Sequence, residues 1–149
     1  MDINSYLLLL PHDKPIRMVS KILEISDKHS ETICQIDQDN PFLKDNGILS
    51  ELANIELIAQ TAAIMLIFNR YENKGFSLEE LLRIKENENN LGFLVTISNL
   101  SFLSQIMARD NFRVRVDLNN HIDDYYAFSG MVYMKDILVA KGDMTIYAE

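Results

Sequence analysis

Residues 49–71 read LSELANIELIAQTAAIMLIFNRY, and this stretch decides the fold of the 149-residue chain. It is rich in alanine, leucine, isoleucine and methionine, contains no glycine or proline, and lacks strand-like alternation. These properties predict a helix of about six turns. Because the helix is apolar nearly all round, most of its faces must be covered. In a chain with the length of one domain, we expect a sheet wrapped around it.

The flanking segments are typical of strands. Residues 16–26 and 31–37 predict a hairpin after a short leading helix and the PHDKP turn at 11–15. Ser77 and Glu80 predict a capping box that opens a short helix, within a surface helical insertion at about 72–90. Strands are expected at 92–103, 112–118, 125–134 and 137–147, with a turn at 135–136. The pattern predicts one α+β domain, residues 1–149, with an antiparallel sheet curled around one buried helix.

Composition and charge exclude several classes of protein. Hydrophobic residues make up 48% and charged residues 24%, so a core can form without disulfides or a structural metal. The net charge of -8 disfavours nucleic acid and anionic lipid as partners. Cys34 is the one cysteine, which excludes an intrachain disulfide and fits the reducing cytoplasm. No signal peptide is expected because a basic n-region is lacking, and no membrane span because the apolar helix carries Glu56.

Glu56 and Gln60 form an unusual polar pair on the predicted helix. Their i, i+4 spacing places them on one face, which Ala53 and Ala63 continue with small side chains. A desolvated carboxylate at this place is a candidate general acid or base. The alternatives are that Glu56 pairs with Gln60 or a buried backbone amide, or that it emerges at the rim of the core.

The three histidines differ in their surroundings. His29 lies at the tip of the predicted hairpin and His121 in a polar segment, so both are expected to be solvated in turns. His12 lies between two prolines, where the backbone is rigid. It could orient the chain through a backbone hydrogen bond or reach a substrate. No spacing of histidine, cysteine or acidic residues suggests a metal site, and Cys34 is expected to be a small core residue.

Six segments of the chain resemble the 3-hydroxyacyl-acyl carrier protein dehydratases of fatty acid synthesis. These are LLPHDKPIRMVSKILEI at 9–25, NPF at 40–42, IELIAQTAA at 55–63, and the segments at 91–106, 112–118 and 128–147, in the same order and spacing. The resemblance implies the hot-dog fold, a strongly curved antiparallel sheet around a central helix. It also implies that two copies pair edge to edge, with substrate tunnels at the dimer interface, and no cofactor is expected.

The resemblance also assigns residues. Glu56 matches the catalytic acid of the family, Gln60 its conserved glutamine, and His12 a histidine of the N-terminal motif that is not the catalytic one. The family's loop with the catalytic histidine corresponds here to LKDNGILSELAN at 43–54, which is shorter and has no histidine. This short connection is similar to that of the dehydratase-like subunits of aryl polyene pigment pathways.

Two functions remain open. As an enzyme, the chain would dehydrate a 3-hydroxyacyl thioester on acyl carrier protein, with Glu56 protonating the leaving hydroxyl and either His12 or a residue of a partner chain as the base. The free amides of the helix start, at Ser50, Leu52 and Ala53, would polarise the thioester carbonyl. The alternative is a catalytically silent hot-dog partner subunit or an acyl-thioester binding module.

The enzyme hypothesis carries further expectations about partners and geometry. We expect a homodimer or a hot-dog heterodimer, a largely buried Glu56, and a His12 that faces a backbone carbonyl and not the Glu56 tunnel. An acidic carrier protein would dock on a local basic patch, for which the candidates are Arg109, Arg113, Arg115, Lys135 and Lys141.

Overall fold

A computed structural model describes residues 2–87, 92–107 and 109–149. A 3-10 helix, Ile3–Leu9, leads the chain. It is followed in order by β1 (Val19–Ile25), β2 (His29–Cys34), α1 (Leu52–Tyr71), a 3-10 turn (Glu72–Lys74), α2 (Leu78–Asn87), β3 (Phe93–Phe102), β4 (Phe112–Ile122), β5 (Tyr125–Met134) and β6 (Ile137–Tyr147).

The six strands form one antiparallel sheet in the order β1-β2-β4-β5-β6-β3. Helix α1 packs against β1, β2, β4, β5 and β6. The expected α+β fold, with a sheet wrapped around one long helix, is therefore confirmed. The edge strands are β1 and β3, and β3 exposes apolar side chains along its first half.

Alternation along the strands places the core between sheet and helix. Phe112, Val114 and Val116 of β4 are fully buried, whereas Arg113 and Arg115 lie on the outer face. Inside the core, the Thr32 and Thr61 hydroxyls lie 2.9 Å apart, and Thr61 donates to the Leu57 carbonyl oxygen. Thr61 thus joins the helix to β2 without leaving its hydroxyl unpaired.

Helix α1 begins at Leu52, three residues later than the predicted start at Leu49. The Leu49 amide donates to the Ile106 carbonyl oxygen at 2.9 Å, and the Ser50 amide donates to that of Phe42 at 2.8 Å. These long-range backbone bonds hold Leu49 and Ser50 outside the helix, although both residues fit the helical pattern.

Two histidines lie at strand ends. His29 opens β2, where it is half-buried and its Nε2 lies 2.8 Å from a Glu24 carboxylate oxygen. His121 lies within β4 and stacks on the Tyr126 ring at a centroid distance of 4.0 Å. His29 thus lies at the hairpin tip as predicted, but it is half-buried and not fully solvated. His121 is exposed as predicted, but it lies in a strand and not in a turn, because it pairs with Tyr126.

The predicted capping box is present. The Glu80 amide donates to Ser77 Oγ at 3.2 Å, and the Ser77 amide donates to Glu80 Oε2 at 2.7 Å. Helix α2 contacts the leading 3-10 helix, and its Leu81 is buried. Residues 88–90 of the expected insertion at about 72–90 lie outside the described residues, and the division into one domain with an insertion stays a prediction.

The segment Leu52–Lys74 is long and apolar enough to cross a membrane by length and composition. However, 61% of an apolar 18-residue stretch within this segment is buried inside the molecule. This burial is what the core helix of a wrapped sheet requires, since nearly every face of the helix is apolar.

Candidate functional site

A cavity of about 260 Å³ lies beside α1, between the turn that follows the leading 3-10 helix and the start of β3. Its polar wall contains His12, Glu56 and Gln60. The remaining wall is formed by Leu10, Pro11, Ala59, Ala63, Leu66, Gly92, Leu94 and Ile146. The cavity therefore combines three polar side chains with a mainly apolar lining.

Gln60 is held by three hydrogen bonds that use both ends of its amide. Its Oε1 accepts from the Met18 amide, and its Nε2 donates to the Ile16 carbonyl oxygen and to Glu56 Oε1, all at 2.9 Å. Because the side chain is buried, this arrangement fixes which way the amide faces. Gln60 thereby connects α1 to the segment that leads into β1.

Glu56 is half-buried and lines the cavity. Its Oε1 accepts from Gln60, which fulfils one alternative that the sequence left open. In the part of the chain that the structure describes, the other carboxylate oxygen has no hydrogen-bond partner. One oxygen is thus anchored and the second is available to a ligand in the cavity.

His12 lines the same cavity as Glu56 and is exposed in the single chain. No hydrogen bond to its ring occurs among residues 2–87, 92–107 and 109–149. Among the described residues the ring thus lacks the hydrogen bond to a backbone carbonyl that the sequence predicted, and its direction relative to Glu56 stays a prediction. Its turn is held by backbone contacts, because the Arg17 amide donates to the Asp13 carbonyl oxygen at 3.0 Å.

The residues at the start of α1 do not line the cavity. The Ser50 amide donates to Phe42, the Ala53 amide donates to the Ser50 carbonyl oxygen at 3.0 Å, and the Leu52 amide makes a long contact of 3.4 Å with Ser50 Oγ. None of these three residues lines the cavity. Their role in substrate binding stays a prediction.

Sequence reasoning missed most of the apolar wall. Ala59, Ala63 and Leu66 follow Glu56 at helical spacing, so the periodicity of α1 could have identified them as a set; only Ala63 was placed on that face. Leu94 and Ile146 are separated from α1 by long stretches of sequence, and no local pattern could have placed them at the cavity.

The other candidate groups lie elsewhere. Among the described residues, no group of three or more histidine, cysteine or acidic side chains is arranged to hold a metal ion. Cys34 is fully buried, and burial raises the pKa of its thiol to about 12, which makes it unreactive. It occupies the core position expected from the sequence.

The candidate basic patch is partly neutralised by acidic neighbours. Arg113 Nη1 lies 2.7 Å from Glu31 Oε1, and Arg115 Nη2 lies 3.0 Å from Asp117 Oδ1. The hydrogen bond to Asp117 raises the pKa of Arg115. These two arginines are therefore less available to an acidic carrier protein than the exposed Arg109, Lys135 and Lys141.

The chain is similar in sequence to known dehydratases. The family model described as ApeP-like, ApeP dehydratase, matches residues 5–149. A 3-hydroxyacyl-[acyl-carrier-protein] dehydratase FabZ from Natranaerobius thermophilus is 26% identical, over 97% of this chain and 94% of that protein. The FabZ of Aromatoleum aromaticum is 23% identical over 97% and 95% of the two chains.

Solved structures show the same fold. The dehydratase heterocomplex ApeI:P from Xenorhabdus doucetiae contains a chain that superposes with a TM-score of 0.79 at 18% identity, covering 100% of this chain and 91% of that one. The protein smu.793 from Streptococcus mutans, solved with acetyl CoA, gives a TM-score of 0.62 at 13% identity, covering 93% and 96%.

Proposed function

The chain belongs to the ApeP-like dehydratase family, and we propose that it is a dehydratase subunit. Its substrates are 3-hydroxyacyl thioesters carried by acyl carrier protein. Glu56 is the general acid in this proposal, and Gln60 orients it. The pathway would be a fatty acid or aryl polyene type of acyl synthesis in the cytoplasm.

One observation carries the proposal. A carboxylate anchored at one oxygen lines a cavity together with His12 and Gln60, and the rest of the lining is apolar. A 3-hydroxyacyl thioester has the matching polarity, since its hydroxyl and carbonyl lie at one end and its alkyl chain at the other. Ala59 and Ala63 leave space for such a chain beside the helix.

The reaction requires a base and an acid. The base removes a proton from the α-carbon, the double bond forms between the α- and β-carbons, and the bond from the β-carbon to the hydroxyl oxygen breaks. Protonated Glu56 gives its proton to the departing hydroxyl, which leaves as water. The proton taken by the base then returns to Glu56, so the protein ends the cycle as it began and the thioester becomes a trans-2-enoyl thioester.

His12 is the candidate base within this chain, because it shares the cavity with Glu56. The alternative base is a histidine from a hot-dog partner, since residues 43–54 carry none. Support for a partner comes from β3, an edge strand that pairs with β6 on one side and with no described strand on the other, and whose Leu94 reaches the cavity wall. A second copy or a different hot-dog subunit would pair with this edge and cover the cavity.

A catalytically silent subunit is the second candidate function. The observation that favours it is the same loop without histidine at 43–54. In that case the chain would complete the fold of an active hot-dog subunit or bind acyl thioesters, without contributing Glu56 to the reaction.

The experiment separates these functions. Full-length protein is incubated with a 3-hydroxybutyryl carrier-protein thioester, alone and with a histidine-bearing hot-dog dehydratase of the same organism, and enoyl formation is followed. We expect Glu56→Gln to lower turnover by about 10²-fold or more. Glu86→Gln, the same change at an exposed residue of α2, should leave turnover unchanged.

The outcomes assign the base as well. Loss of turnover in His12→Gln, with the fold retained, identifies His12 as the base, whereas turnover that depends on the added subunit and survives His12→Gln assigns the base to the partner. Full activity of Glu56→Gln in the complex would overturn the proposed role of Glu56 and favour the silent subunit.

A further inference from the structure

Asn40 lies in the loop after β2 and is 3% exposed. Its Oδ1 accepts from the Phe42 amide at 2.9 Å, and its Nδ2 donates to the Pro15 carbonyl oxygen at 2.9 Å. The first bond is local and shapes the loop. The second crosses 25 residues of sequence and reaches the end of the turn that carries His12.

Residues 15–18 are held by two amide side chains from different parts of the chain. Asn40 binds the carbonyl of Pro15, and Gln60 binds the carbonyl of Ile16 and the amide of Met18. The same Gln60 amide also donates to Glu56. This segment is therefore the physical connection between the loop after β2, the His12 turn and Glu56.

We propose that Asn40 is a positioning residue for the Glu56 cavity. By fixing the carbonyl of Pro15, it fixes the backbone that Gln60 needs for its three hydrogen bonds, and Gln60 then holds Glu56. The inference rests on the proposed function for its effect on turnover, but its structural step does not. An amide suits this place because its oxygen and nitrogen are separate atoms, so one can accept from Phe42 while the other donates to Pro15.

The decisive substitution is Asn40→Ser. A serine hydroxyl can still accept from the amide two residues on, so the loop keeps its turn, but the shorter side chain loses the bond to Pro15. Asn40→Ala removes both bonds and serves as the second variant. The matched control is Asn4→Ala, which removes another bond from an asparagine to β1, where Asn4 Oδ1 accepts from the Ile22 amide at 2.8 Å.

The first measurement is amide hydrogen exchange by NMR on the full chain. In Asn40→Ser we expect the Met18 amide to exchange about tenfold faster or more, relative to the core amide of Val114. The Gln60 side-chain amide resonances should also shift. In Asn4→Ala, exchange should accelerate at Ile22 and not at Met18. Unchanged exchange at Met18 and unshifted Gln60 resonances in Asn40→Ser would overturn the proposal.

The second measurement is turnover of the 3-hydroxybutyryl carrier-protein thioester, with the hot-dog partner if one is needed. We expect Asn40→Ser to lower kcat by about tenfold, because a displaced acid reacts poorly, while KM changes less than about twofold. A rise in KM at unchanged kcat would contradict the positioning role. Should the wild-type protein show no turnover under any condition, the proposed function fails, and the exchange data still decide whether Asn40 holds Gln60.

Discussion

At the scale of single residues, helical spacing predicted the polar pair of the candidate site, Glu56 and Gln60. Glu56 and Gln60 could be placed on one face of α1 from their separation alone, and they are hydrogen-bonded at 2.9 Å. Asn40 could not be found in this way, because its partner at Pro15 lies on a different element. The direction of the His12 ring could not be derived either, since a rigid turn does not reveal which direction its side chains face.

Gly130 sets how closely α1 approaches the sheet. A Cβ at this position would overlap the Ile58 side chain of α1, which is buried and has essentially one rotamer in a helix. We expect Gly130→Ala to lower the free energy of unfolding by about 1–3 kcal/mol, measured by urea denaturation. Gly142→Ala is the control, because its Cβ would meet the flexible end of Leu100. In the Gly130→Ala, Ile58→Ala double variant the two losses should not add, and strict additivity would contradict this explanation.

Cys34 is predicted to be chemically silent in the folded protein. Burial raises the pKa of its thiol to about 12, and the thiolate is the reactive form. A thiol reagent at neutral pH should therefore modify Cys34 only when the chain unfolds. Because the chain has one cysteine, the modification rate in increasing urea should follow the unfolding curve. Rapid modification of the native protein would show that Cys34 is reachable.

At the scale of elements, hydrophobic periodicity was sufficient to predict the bounds of an element that buries one face. Strands β5 and β6 have the predicted bounds, because their alternating side chains face the helix on one side. The start of α1 and the end of β4 were misjudged. Leu49 is held by a backbone bond to Ile106, and His121 is held by pairing with Tyr126. Leu49 and His121 are each held by a residue outside their own segment, either distant in sequence or across a tight turn. A local sequence pattern does not contain this information.

Asp143 connects three strands and makes stability depend on pH. Its carboxylate accepts from Asn99 of β3 and Ser129 of β5, at 2.8 and 2.7 Å, and these bonds lower the pKa of Asp143. Since the pKa is lower in the folded than in the unfolded chain, the stabilisation is present above about pH 4 and is lost as the pH falls through the folded value.

The test compares urea unfolding near neutral pH and at about pH 3. We expect Asp143→Asn to be less stable than wild type near neutral pH, and the difference between them to shrink in acid. Asp136→Asn, in the exposed β5–β6 turn, is the control and should keep the wild-type pH dependence. An equal loss of stability at both pH values in Asp143→Asn would indicate that the charge is not involved.

At the scale of the whole molecule, the cavity lies next to the β3 edge of the sheet. The cavity is open in the single chain, with His12 exposed and Glu56 half-buried, and its wall includes Leu94 at the start of β3. The predicted burial of Glu56 at a dimer interface is therefore only partly met within one chain. Pairing of β3 with a partner strand would cover the cavity and exclude water from Glu56, which strengthens its electrostatic interactions.

The β3 edge is expected to be the assembly surface. Its first half exposes Phe93, Leu94, Val95 and Ile97, and no charged residue or proline interrupts residues 93–102. Edge strands that stay unpaired in proteins are usually protected by such residues. Val95→Lys should therefore weaken assembly, whether the partner is a second copy or another hot-dog subunit.

Light scattering of the full chain, alone and mixed with the histidine-bearing hot-dog subunit, measures this directly. The matched control is Ile137→Lys, which adds the same charge at an apolar residue with 59% exposure, beside the β5–β6 turn and away from the edge. We expect Val95→Lys to shift the assembly to monomer at concentrations where Ile137→Lys and wild type remain paired. If Val95→Lys assembled as well as the control, β3 would not be the interface. Glu56 would then have to work in a cavity open to water, where an isolated carboxylic acid loses the desolvation that makes it an effective proton donor.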